Sequence, residues 1–192
     1  NPPPRGRMGN LSVSADGERV VRHDGDTWNV TPGVGPSAAV GQDGSVFLIG
    51  TDGGLFQWDG TQFNPQGDLS PLAQVSVGDG NHVWVRDGGN TVHRYQGNNA
   101  FSPVDLGAGV PNPTHIAANN DGTLWHCNSS NANIFRLISE STNPSDTITV
   151  KGGVVTSVQK VASTGFGAAH CLVTQNGQPQ LYRYDSPYVL KT

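Results

Sequence analysis

A motif of four short apolar segments separated by Gly-containing turns recurs five times along this chain, and it narrows the choice of fold more than any other property. The clearest copy occupies residues 37–67. It reads as a first strand Ala38-Ala39-Val40-Gly41, a turn at Asp43-Gly44, a second strand Val46-Phe47-Leu48-Ile49, a turn at Asp52-Gly53, and a third strand Leu55-Phe56-Gln57-Trp58. A last turn, Asp59-Gly60, leads to Gln62-Phe63. Asp-Gly between alternating apolar residues is a strong hairpin signal, because both residues tolerate positive φ.

The same order returns at residues 74–101, 115–150 and 159–190, placing repeat boundaries near 10–36, 37–72, 73–113, 114–157 and 158–192 within a single domain, 1–192. The first copy begins late. Leu11-Ser12-Val13-Ser14 matches a second strand, 20–25 a third, and Trp28 falls where Phe63 sits, so no first strand precedes them. Three tight hairpins followed by a longer Gly/Pro link describe how one propeller blade passes to the next. The expected fold is an all-β, five-bladed β-propeller of four-stranded antiparallel blades, the first lacking its inner strand. Either that blade is three-stranded, or a strand from outside the chain completes it, for example from a second copy in a homo-oligomer or from a longer parent protein. Composition agrees: 26 glycines, 13 prolines and only 14% charged residues suit many short strands joined by turns.

These repeats resemble the tectonin repeat of β-propeller lectins. The resemblance rests on Val75-Ser76-Val77-Gly78, on Val83-Trp84 and Leu124-Trp125, and on the endings Arg94-Tyr95-Gln96 and Arg183-Tyr184-Asp185. It covers nearly the whole chain after Asn10, and the fourth copy departs from it at Leu137-Ile138. It implies a multivalent carbohydrate-binding protein that recognises glycans or glycoconjugates on cell or microbial surfaces. The alternative is a propeller scaffold for protein–protein interaction, which predicts one asymmetric patch in place of several equivalent clefts.

Stacking the copies exposes the columns that would carry such binding. On the third strand Arg22, Gln57, Arg94, Arg136 and Arg183 are followed by His23, Trp58, Tyr95, Leu137 and Tyr184. Guanidinium donors engage hydroxyls while a ring stacks on a pyranose face; the competing reading is that strand alternation buries one of each pair between blades. A terminal column of Trp28, Phe63, Phe101 and Tyr188 lies nearer the rim and also suits stacking. The candidate ligand-binding residues are therefore Arg22, Arg94, Arg136, Arg183, Trp28, Trp58, Phe63, Tyr95, Phe101, Tyr184 and Tyr188. Phe47, Trp84 and Trp125, with Ser12 and Cys171 in the remaining copies, read as filler between blades.

No catalytic, metal or cofactor site is expected. The six histidines occupy unlike repeat positions, and the Asp-Gly turns offer lone carboxylates that read as turn formers. Cys127 and Cys171 fall on the same side of the pleat by repeat parity, which disfavours a disulfide and predicts two buried thiols. A net charge of −4 without a basic run argues against nucleic acid, and no apolar stretch is long enough to span a bilayer. The chain starts at Asn1 and reads as a processed form or a fragment. Three glycosylation acceptor patterns, at Asn10, Asn29 and Asn128, tip the expected location toward secreted or cell-surface.

Overall fold

The aspartates of the repeated turns fold back on their own backbone. Oδ1 of Asp43, Asp52, Asp59 and Asp121 accepts the amide of Ser45, Gly54, Thr61 and Thr123, respectively, at 2.8–3.0 Å. Gly44, Gly53, Gly60 and Gly122 each follow at positive φ, as an Asx-type hairpin requires. These are the turn formers expected from the sequence.

The computed structural model describes residues 11–13, 20–23, 27–130, 132–138, 146–148, 155–163 and 168–184. They form eighteen strands and no helix. Blade 1 holds β1 (Leu11–Val13), β2 (Val20–His23) and β3 (Trp28–Val30); blade 2 holds β4 (Ser37–Val40), β5 (Val46–Ile49), β6 (Leu55–Trp58) and β7 (Phe63–Pro65). Blade 3 holds β8 (Leu72–Val77), β9 (Val83–Asp87), β10 (Val92–Tyr95) and β11 (Phe101–Pro103). Blade 4 holds β12 (His115–Ala118), β13 (Leu124–Cys127), β14 (Ile134–Leu137) and β15 (Asp146–Ile148); blade 5 holds β16 (Val155–Ser163), β17 (Ala169–Gln175) and β18 (Gln178–Tyr184). Each blade is an antiparallel meander in chain order, and successive blades pack face to face. The chain is an all-β propeller.

Backbone bonds fix the equivalence of the blades. The amide of Thr31, Gln66 or Val104, just past the outer strand, donates to the carbonyl of Val20, Leu55 or Val92, which opens the third strand. In blade 1, β2 is thus a third strand and β1 a second, and the described part of that blade has no inner strand. The fourth strand expected around Tyr188 lies outside the described residues.

Two pleat assignments are corrected. Gln57, Arg94 and Arg136 face Phe47, Trp84 and Trp125 across the ladder, but Arg183 faces His170 and Arg22 faces Leu11. Cys171 and Ser12 therefore do not belong to the aromatic column. A one-residue slip moves a side chain to the other face, so Cys171 points back at blade 4. It shares one apolar cluster with Cys127 and Trp125, against the parity expectation that the two cysteines avoid a common interface. Both are buried free thiols, and burial pushes them up, Cys127 to about 12 and Cys171 to about 11.

Around the inner strands, side chains of one blade satisfy the backbone of the next. Ser37 Oγ accepts the Val75 amide, Ser76 Oγ accepts the Ala118 amide, and the Gln74 carboxamide both donates to and accepts from Ile116. The first turns are chained in the same sense: Gln42 N donates to Gly78 O, and Asp43 Oδ2 accepts Gly80 N. Burial opposes the Asp43 charge, but the bonds from Ser45 and Gly80 outweigh it and hold the carboxyl below its usual range.

Gly78 sits where two of these turns touch. A Cβ there would lie 2.0 Å from the Asn119 carbonyl oxygen, a backbone atom that cannot rotate away. Gly78→Ala is expected to cost about 1–3 kcal/mol by forcing blades 3 and 4 apart, read as a lowered urea midpoint. Gly44→Ala is the control with open space around its Cβ, and its cost comes from positive φ alone.

Candidate functional site

Strand alternation decides what the third-strand column does. Adjacent residues point to opposite faces, so Arg94 and Tyr95 belong to different interfaces and do not flank one ligand. Arg94 and Arg136 turn toward the following blade, and Tyr95 and Tyr184 toward the preceding one. Between blades 4 and 5 the two meet: the Arg136 guanidinium lies 5.8 Å from the Trp125 ring and 5.5 Å from the Tyr184 ring, and its Nη1 donates to Tyr184 Oη at 3.1 Å. Trp125 and Tyr184 rings are 4.9 Å apart. This is an interblade joint.

The interfaces between blades 2 and 3 and between blades 3 and 4 are variants of that joint. Arg94 lies 4.9 Å over the Trp84 ring and donates to the Asn81 carbonyl, while Leu137 stands in for the tyrosine of blade 4. Between blades 2 and 3, Phe47 meets Tyr95 edge-on at 5.9 Å with Gln57 in the arginine position. Tyr95 is buried, donates to Gln66 Oε1, and packs at a tilt, centroids 5.3 Å apart, against the half-buried Phe101. Arg183 is exposed on β18. For Arg22 and Trp28 the description ends at the backbone, and Tyr188 lies outside the described residues. Of the candidates, Arg94, Arg136, Tyr95 and Tyr184 are engaged in packing.

Trp58 and Phe63 form the corresponding aromatic pair on the face of blade 2 that looks toward blade 1, with centroids 5.0 Å apart. Leu48 and Phe56 pair across the ladder on that same face. Here the rings are half-buried, and Phe63 lines an open cleft of about 270 Å³. One wall is Pro32, Gly33 and Val34 of the link from blade 1; the other is Leu48, Phe56 and Phe63; the turn from Gly50 to Asp52 closes one end.

The links explain why a cleft remains. Between blades 2 and 3, Leu69 of the link packs into the core, and between blades 3 and 4 the link inserts Leu106 together with Val104 and Val110. The first link offers Pro32-Gly33-Val34-Gly35-Pro36, and Val34 stays 47% exposed. No residue of this link is as large as leucine, and its Gly33 backbone packs directly on Phe63 and Leu48, where a Cβ would come within 2.5–2.8 Å. The lining carries a single titratable side chain, Asp52, whose Oδ1 accepts the Gly54 amide at 3.0 Å.

Phe56, Pro32, Val34 and Asp52 were not among the residues expected at a site. Phe56 was legible in principle: Phe56 and Trp58 are two residues apart, so they share a face that already contains Leu48 and Phe63. Asp52 serves as a turn former and lines the cleft as well. Among the described residues no three His, Cys, Asp or Glu side chains gather as metal ligands, and no helix is long and apolar enough to cross a membrane.

No protein-family model and no curated protein matches the chain. Solved structures do match in fold. The chain is similar to a catalytically inactive virginiamycin B lyase from Staphylococcus aureus with quinupristin, at 12% identity and a TM-score of 0.57, over 98% of this chain and 73% of that one. It is similar to YCF48 bound to D1 peptide, at 10% identity and a TM-score of 0.58, over 88% of this chain and 57% of that one. The β-propeller domain of Cps50 (Swd1) from Myceliophteria thermophila matches at 8% identity and a TM-score of 0.60, over 91% and 66%. At these identities the likeness carries the propeller fold.

Proposed function

We propose that this propeller is a non-catalytic docking module that holds a protein segment in the cleft between blades 1 and 2. The observation that carries this is the unequal filling of the three described links: leucines of the second and third links fill their gaps, while the first link rests its Gly33 backbone on Phe63 and Leu48 and leaves an open cleft beside half-buried aromatic rings. A scaffold predicts one asymmetric site. Equivalent clefts would have favoured a multivalent receptor, and two of the arginines that were to line them, Arg94 and Arg136, take part in interblade joints. A single titratable side chain in the lining also supports binding over acid–base chemistry, which needs a converging set. YCF48, similar in fold, is found with a peptide, a partner chemistry that a cleft of this size and polarity admits for one or two side chains.

A second reading keeps glycans as the ligand. The resemblance to tectonin lectins supports it, and so does an aromatic wall beside a carboxylate, which suits a pyranose ring and its hydroxyls. Parallel peptide and glycan arrays probed with the whole chain separate the two. The docking reading expects peptide signals that fall about tenfold or more in Phe63→Ala and hold in Arg94→Ala. Glycan signals that decline stepwise through Arg94→Ala, Arg136→Ala and Arg183→Ala would overturn it.

A further inference from the structure

The chemistry of the cleft names the side chain it would receive. Its apolar lining is a narrow strip from Phe56, Phe63, Pro32 and Val34, with Leu48 buried behind them, against which part of an aliphatic stem can lie. Its one charge is Asp52. The carboxylate stands over the same glycine as the Phe56 ring edge: a Cβ built on Gly50 would be 2.8 Å from Asp52 Oδ1 and 2.7 Å from Phe56 Cε2. Oδ1 accepts the Gly54 amide, and Oδ2 carries no hydrogen bond among the described residues. No lysine, arginine or histidine is among the lining residues, and Asp52 makes no ion pair among the described residues.

Resting on the docking reading, we propose that the cleft takes a lysine or arginine side chain of the docked segment, its stem against Phe56 and Phe63 and its charged head at Asp52. A neutral apolar side chain would use the walls but leave the carboxylate without a partner. An acidic side chain would meet like charge, in a chain of net charge −4. A cationic head at the carboxylate with its stem against the rings satisfies every group present. Asp52 lies at the rim, exposed, so the head stays partly hydrated while the stem is buried, as long cationic side chains prefer.

The test uses the 192-residue chain and amide-resonance titration with capped single amino acids: Nα-acetyl amides of lysine, arginine, norleucine and glutamate, with methyl glycosides alongside. Lysine and arginine amides are expected to shift the Gly33, Gly50 and Thr51 resonances with affinities several-fold tighter than norleucine, which has the same stem without the charge. The preference should shrink as salt is raised. Asp52→Asn keeps an oxygen for the Gly54 amide, and is expected to bring lysine down to the level of norleucine. Gly50→Ala places a methyl group between the ring and the carboxylate and is expected to weaken both; unchanged resonances in blades 3 and 4 verify that the variants fold.

Equal binding of norleucine and lysine in the wild-type protein, or an Asp52→Asn variant that still prefers lysine, overturns the cationic assignment and leaves docking intact. Shifts from methyl glycosides and none from any amino-acid amide overturn the docking reading itself. Silence from every probe at the cleft resonances overturns both.

Discussion

Replacing Trp125 by alanine is expected to lower unfolding free energy by about 3–5 kcal/mol, the range for deleting a large buried ring. Trp125 is fully buried between blades 4 and 5, where it meets the Tyr184 ring and shares the Arg136 guanidinium with it. Its indole Nε1 has no hydrogen-bond partner, so what alanine removes is packing and ring contact. No polar bond is lost with it. Trp125→Phe should then recover most of the loss, because a phenyl ring keeps the stacking face without creating a large cavity. Guanidinium chloride unfolding of the three proteins checks this. A double-mutant cycle on Arg136 and Tyr184 isolates the guanidinium contribution, expected at about 1–2 kcal/mol for a partly desolvated cation–π and hydrogen-bonded pair. A Trp125→Ala cost under about 1 kcal/mol would mean that the joint does not hold the blades together.

The value of that joint also explains which parts of the molecule were legible in the sequence. Turns announce themselves: Asp and Gly at Asp43-Gly44, Asp52-Gly53, Asp59-Gly60 and Asp121-Gly122 perform local backbone chemistry that needs no partner from elsewhere. Strands β5 and β6 follow from those turns to the residue. Register in blade 5 did not follow, because the β17–β18 hairpin closes at Asn176-Gly177 and pairs Arg183 with His170, which leaves Cys171 one position off the aromatic column. The candidate site suffered from a different gap. Arg94-Tyr95 reads as one sugar platform only if both side chains face the same way, and pleating forbids it. Whether a link fills its gap depends on how deep a single side chain reaches: Leu69 and Leu106 are ordinary loop leucines until the neighbouring blade is in place.

The second large effect comes from a histidine that the binding argument leaves aside. His126 is fully buried on β13, across the ladder from Ile116 and Phe135, and its ring is stacked on Phe135 at 5.2 Å and 12°. Burial disfavours the imidazolium and pulls its pKa down to about 4, against about 6.5 for an unperturbed imidazole. Between those values the unfolded chain takes up a proton that the folded chain refuses. Stability from this group is therefore complete above about pH 6.5 and declines as pH falls toward 4, by roughly 3 kcal/mol in all; below 4 both states are protonated and the loss stops. His115 adds in the same direction, held low by burial and by Lys160 and Arg86 nearby. Asp43 and Asp87, both held below the usual carboxylate range against their burial, contribute only at lower pH still, as their own protonation begins. Urea midpoints measured from pH 7.5 to 3.5 should fall most steeply between 6 and 4.5, well before the carboxylates titrate. His126→Phe removes the titration while keeping an aromatic ring against Phe135, so its midpoint should vary far less over that interval whatever its absolute stability. A wild-type curve that stays level down to pH 4.5 would show that the imidazole is hydrated in the folded state, and that the interface between Ile116 and Phe135 is open to water.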